Sequence, residues 1–235
     1  MDRSSAVSSG EGRGRFVVFE GIDGCGKTTQ CELFCRWLPG SGLLAAGSQV
    51  ILTREPGGTP LGNALRQLLL DPNKSVSPCR TSELLLYAAD RAQHVDALVR
   101  PALAAGDWVI SDRFTGSTLA YQGFGRGLSC GLIEDLEKMA TAGLRADLTL
   151  WLDLPVQLSQ QRRRSRHADR IESSRDVNGE PFLSRVSKGF ASLVDQFGWQ
   201  RVDASLPVDQ VAAHCQRLAI EWLATGLDEG GGGDD

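Results

Sequence analysis

The stretch Gly21–Thr28, GIDGCGKT, sets a lysine and a hydroxyl directly after a glycine-rich turn, with a carboxylate inside the turn. The spacing Gly-x4-Gly-Lys-Thr suits a loop whose backbone N–H groups surround an anion at the start of a helix. Phosphate binding is the chemistry such a loop does best. Lys27 neutralises charge on the outer phosphates of a nucleoside triphosphate, and the Thr28 hydroxyl reaches the accompanying Mg²⁺. Gly21, Ile22, Asp23, Gly24, Cys25, Gly26, Lys27, Thr28 and Thr29 then make up the cradle. Asp23 does not fit this duty, because a carboxylate repels phosphate; it either bonds the loop's own backbone or addresses another molecule.

Two further cations stand where a second phosphate could be held. Arg54 follows the apolar run Val50–Thr53, and Arg113 follows Trp108–Ser111. Guanidinium forks match phosphate oxygens two at a time. Glu55 and Asp112 lie next to them in sequence, so a pair of surface ion pairs is the plainer alternative. Tyr87 and Arg91 are four residues apart, hence on one face of a helix. Residues 161–170, QRRRSRHADR, are the most basic part of the chain. With a net charge of −4 and no aromatic residues interleaved among these arginines, nucleic acid is a poor partner for them. A segment that closes over a phosphorylated substrate suits them better.

The elements that position these groups are legible in the apolar pattern. Phe16–Phe19, Val50–Thr53, Trp108–Ser111, Leu148–Leu152 and, more weakly, Arg201–Ala204 are short apolar runs without alternation, as in parallel strands covered on both faces. Helical patterns lie between them, after the glycine loop, from Thr59-Pro60 to Leu70, and over about 81–100, 130–142, 155–165, 182–197 and 207–224. Alternation of this kind predicts an α/β three-layer sandwich with a five-stranded, largely parallel sheet. Ligands of such sheets gather beyond the C-terminal strand edges, where the loop, Arg54, Asp112 and Arg113 all fall.

Composition bounds the rest. No run reaches the 18 apolar residues that a membrane span needs, and the start carries no apolar leader. The six cysteines show neither CxxC pairs nor zinc-finger spacing, so reduced thiols in a cytoplasm are expected. Residues 1–14 and 227–235 are too poor in apolar side chains to order themselves, leaving one domain over 15–226.

Four more segments carry a family resemblance. Thr53-Arg54-Glu55-Pro56-Gly57-Gly58, Asp112-Arg113-Phe114, Ser117 with Ala120-Tyr121-Gln122-Gly123, and Asp169-Arg170-Ile171-Glu172 occur in the order and spacing of thymidylate kinases. Over residues 15–224 the chain resembles that family. The resemblance implies a P-loop kinase fold with a small mobile lid at about 161–180. It also implies a homodimer and transfer of the γ-phosphoryl group of ATP to dTMP, with Mg²⁺, giving dTDP. Asp23 would meet the acceptor's 3′-hydroxyl, and Arg54 and Arg113 its phosphate. Tyr87 would stack on thymine, Arg91 face a base carbonyl, and Ser117 and Gln122 contact the base region. Tyr121 would lie under the sugar and crowd a 2′-hydroxyl. Thr28, Asp112 and Glu172 fall near the metal, although Asp112 could instead tie Arg113 and Glu172 could pin Arg170. Gly24 stands where one subgroup carries arginine, so the lid must supply that charge. Arg166 and Arg170 join Lys27, Asp23 and Arg113 as the expected catalytic set. Phe114 takes a place where relatives often have Tyr or His. Two alternatives stay open at this level: another phosphorylated acceptor, or a nucleotide-binding regulator without catalysis.

Overall fold

The computed structural model describes residues 14–71, 77–163 and 180–228. Five strands, β1 (Phe16–Glu20), β2 (Val50–Arg54), β3 (Trp108–Asp112), β4 (Leu148–Asp153) and β5 (Gln200–Asp203), form one sheet in the order β2-β3-β1-β4-β5. Every pairing is parallel. β1 is central, with Phe16 opposite Val109 on one side and Val17 opposite Leu148 on the other.

The lack of alternation in β1 has a direct cause. Val17 and Phe19 enter one core with Cys31 and Phe34 of α1 (Lys27–Trp37) and Cys215 of α9 (Val208–Asp228). Phe16 and Val18 enter a second core with Val95, Val99 and Leu103. Both faces are therefore dry, and period-2 side chains all need to be apolar.

Around the sheet lie α2 (Pro60–Leu70), α3 (Arg80–His94), α4 (Arg100–Ala104), α5 (Thr115–Thr118), α6 (Cys130–Thr141), α7 (Val156–Arg163) and α8 (Phe182–Phe197). The helix expected over 81–100 is not uniform: a wide π-type turn occupies Val95–Val99. Pro101 cannot donate back to residue 97, and its ring crowds that carbonyl, so the preceding turn opens. Residues 115–125, for which the pattern predicts no helix, coil as α5 and a second π-type segment, Leu119–Gly125. Three glycines there weaken the local signal. Packing against α8 overrides it: a Cβ at Gly125 would lie 2.7 Å from Phe182, and one at Gly189 would lie 2.7 Å from Phe124.

Candidate active site

The glycine loop leaves the C-terminal edge of β1 and ends at Gly26, whose φ of 98° precedes the first turn of α1. Lys27, 6% exposed, folds back over the loop, its Nζ donating to Gly21 O at 3.1 Å and Ile22 O at 3.0 Å. α7 is tied to the same loop by Ser159 Oγ, which donates to Asp23 O at 2.7 Å. Gly24 sits at φ +80°, and a Cβ there would lie 3.0 Å from Arg163 Cγ and 3.1 Å from Ser159 O. The Arg163 stem thus occupies the space that a side chain at position 24 would need. Thr28 Oγ1 donates to Asp112 Oδ2 at 2.6 Å, which settles what Asp112 faces: the threonine, not Arg113.

Arg113 is one of two non-glycine residues with positive φ among the described residues, at 81°. Its amide donates to Phe19 O at 3.0 Å. Its guanidinium reaches under the loop, with Nη2 paired to Asp23 Oδ1 and Nη1 donating to Ser117 Oγ at 2.8 Å and Gly21 O at 3.1 Å. Tyr121 lies against this guanidinium, 5.0 Å from ring centre to Cζ, and donates its hydroxyl to Asp23 Oδ2 at 3.0 Å. Burial alone would raise Asp23, yet the charges of Arg113 and Lys27 outweigh it and hold the carboxylate well below its usual range. Burial and the Asp23 charge push the Tyr121 phenol well up.

Glu20 is the residue that pattern reading missed here. It is fully buried; Oε1 accepts the Phe114 and Ser117 amides at 3.0 Å each, and Oε2 accepts the Ser117 hydroxyl at 2.6 Å. A lone acid closing an apolar central strand was the available signal.

Arg54 and Glu55 point to opposite sides. Arg54 is exposed, and its side chain makes no hydrogen bond or ion pair with a described residue. Glu55 is buried, accepting from Arg91 Nε at 2.7 Å and sharing a 2.7 Å bond with His94 Nδ1. Neither Arg54–Glu55 nor Arg113–Asp112 forms the ion pair that adjacency suggested. Arg91 lines the pocket as expected but is 2% exposed and largely committed: to Glu55, to Glu137, to Thr118 Oγ1 at 2.8 Å and to Phe114 O at 3.0 Å. Gln122 Nε2 donates to Glu83 at 3.0 Å, and Ser117 is held between Glu20 and Arg113. These bonds orient Gln122 and Ser117 more than they free them for a ligand.

Two cavities result. One of about 80 Å³ is lined by Tyr87, Arg91, Ser117, Tyr121 and Gln122. The other, about 780 Å³, is lined by Gly24, Lys27, Thr28, Arg54, Asp112 and Arg163. Asp23, Glu55, Arg66 and Arg113 belong to both and form the partition. Arg66, on α2, was not singled out by its sequence; it donates to Pro56 O at 2.9 Å. Arg166, Arg170 and Glu172 lie outside the described residues, whereas Arg162 and Arg163 of the same basic run reach the larger cavity.

Comparison with known proteins agrees with this geometry. Residues 19–215 match the family model described as thymidylate kinase. The thymidylate kinase of Synechococcus sp. (strain RCC307) is 59% identical over 215 residues, covering 92% of this chain and all of that protein. That of Prochlorococcus marinus (strain MIT 9313) is 57% identical over 200 residues, covering 85% of this chain and 91% of its own. Among solved structures, the crystal structure of thymidylate kinase from Ehrlichia chaffeensis aligns with a TM-score of 0.67 at 31% identity, covering 88% of this chain and 99% of that one. The chain belongs to the thymidylate kinase family.

Proposed function

We propose that the two cavities divide the substrates of this ATP-dependent dTMP kinase, ATP in the larger and dTMP in the smaller. The carrying observation is the partition: Asp23 and Arg113 line both cavities, so the reacting phosphates meet where positive charge is already placed. Lys27 leaves the Gly21 and Ile22 carbonyls for the donor phosphates. Arg54, exposed on the larger cavity and with no side-chain partner among the described residues, joins Arg113 on the acceptor phosphate where that phosphate crosses the partition. An acceptor phosphate oxygen then attacks the γ-phosphorus in line, with no covalent enzyme intermediate. The smaller cavity is well below the ~300 Å³ of an ordinary ligand pocket, so dTMP must widen it. The Asp23–Arg113 contact is the group in its way; on its release Asp23 accepts from the 3′-hydroxyl and Arg113 turns to phosphate. Tyr121 stays beneath the sugar and Tyr87 flanks the base.

Thr28 and Asp112 fit a magnesium site: two hard oxygen groups 2.6 Å apart, at the edge of the donor cleft. A bound Mg²⁺ supplies charge neutralisation on the donor phosphates. As the family resemblance implies, residues 161–180 serve as a lid, with Arg166 and Arg170 as charge donors and Glu172 for the metal; the support is α7, tied to the loop through Ser159 and bringing Arg162 and Arg163 to the larger cavity. Leu61, Leu85, Leu132 and Met139, about half or more exposed on the adjacent helices α2, α3 and α6, suit a homodimer face. Six unpaired cysteines suit a reducing cytoplasm, and no helix among the described residues could cross a membrane. The test is product formation across dTMP, dUMP, the ribose analogue of dTMP, dCMP, AMP and GMP, where dTMP should lead clearly.

A further inference from the structure

The segment that carries Arg54 is held along one side by α3. Thr53 Oγ1 shares a 2.8 Å bond with His94 Nε2, Glu55 is bonded by His94 and Arg91, and the Gly57 amide donates to Asp90 Oδ1 at 3.1 Å. Alternate residues 53, 55 and 57 thus face the helix, which leaves Arg54 on the opposite side, toward the donor cleft. The close approach depends on missing side chains. A Cβ at Gly58 would lie 2.4 Å from His94 Cδ2, and one at Gly62 would lie 2.3 Å from Asp90 Oδ1.

Asp90 is the anomalous member of this set. It is 1% exposed, yet its Oδ2 has no hydrogen-bond partner among the described residues. Glu55 repels it, Arg91 and His94 attract it, and burial penalises its charge. A carboxylate left half-satisfied in an interior weakens the fold, so its return must be sought in the bond that it does make. That bond is to the turn between Arg54 and α2, the point where the chain reverses after the acceptor clamp.

We propose that Asp90 is a positioning residue for the acceptor phosphate: by holding the Gly57 amide it fixes the turn and so the direction in which Arg54 leaves it. The inference rests on the acceptor-clamp reading of Arg54. Steady-state kinetics with each substrate varied test it. Asp90→Ala should raise KM for dTMP about tenfold, the usual effect of losing one such bond, with KM for ATP within about twofold of the parent. Asp90→Asn, which keeps the acceptor oxygen, should restore KM for dTMP to within about twofold. Should the alanine variant not fold, Asp90→Ser, whose hydroxyl is one bond too short, carries the same expectation. An unchanged KM for dTMP in Asp90→Ala, equal rises for both substrates, or an asparagine variant as impaired as alanine would overturn the inference. Calorimetric titration of dTMP into Arg54→Ala separates the two layers. Normal binding there removes the clamp reading itself, whereas lost binding beside a normal Asp90→Ala removes only the role of Asp90.

Discussion

Arg113 Nη2 pairs with Asp23 Oδ1 across the wall between the two cavities, while Tyr121 donates to the other Asp23 oxygen. A cation and an anion of the site therefore neutralise each other before substrate arrives. Each is also the group that a substrate needs: a phosphate for the guanidinium, a hydroxyl for the carboxylate. Exchange of partners, rather than creation of charge, opens the acceptor site.

If a fork is what this exchange requires, Arg113→Lys keeps the charge but loses the two-point contact. The expected result is a fall in kcat/KM of about 10²-fold, comparable to removing one preorganised donor to transition-state charge. Melting temperature should change little, because Lys can still meet Asp23. Steady-state kinetics beside thermal melts check both parts.

Lys27 presents a different balance. Its ammonium is satisfied by two loop carbonyls and lies 3.9 Å from Asp23 Oδ1. In Lys27→Met, turnover should drop by about 10³-fold or more, with dTMP binding by calorimetry falling far less, because Arg113 still holds the Asp23 carboxylate.

Glu20 is expected to act through Arg113. Glu20→Ala leaves two buried amides and a hydroxyl without their acceptor, a loss on the order of 3 kcal/mol in chemical denaturation. It should also reduce kcat/KM, because Ser117 no longer has a fixed orientation for Arg113. Glu20→Gln can keep the Oε1 bonds and donate to Ser117 Oγ, so it should recover most of both quantities.

Stability against pH isolates Asp90. Burial and the Glu55 charge raise its carboxyl from 3.8 to about 6. The folded state therefore holds a proton that the unfolded chain has released, and stability falls as pH rises from about 4 to 6. Asp90→Asn removes this loss, because an amide does not ionise. The variant should be more stable by roughly 2–3 kcal/mol at pH 7, and the advantage should vanish near pH 4. Thermal melts across that range give the answer.

How much of this was legible follows from the distance over which each signal acts. The glycine loop, the strand edges and Tyr87 with Arg91 are local patterns; the sheet places the first two, and α3 sets Tyr87 and Arg91 on one cavity, as the pattern predicts. Partners that lie far apart in sequence were not legible. Asp112 meets Thr28 84 residues away, and Glu55 meets His94 39 residues away, although each has an arginine as its neighbour. Arg54 and Glu55 leave the end of β2 on opposite sides, and the left-handed turn at Arg113 carries its guanidinium under the glycine loop, so neither pair of neighbours meets. Glu20 closes an apolar run where an isolated polar residue carries no period, Asp90 sits beside the more conspicuous Arg91, and His94 forms no cluster with His167 or His214 in the sequence. Their roles become visible only once the turn they hold has been placed.

The central claim is that donor and acceptor lie on two sides of the Asp23–Arg113 partition with their phosphates meeting there. Inhibition by a single molecule that links adenosine to thymidine through a polyphosphate chain tests it most directly. The account predicts competition against both ATP and dTMP, with tighter binding than either nucleotide alone. Competition against ATP only, with dTMP still bound at full affinity, would contradict it.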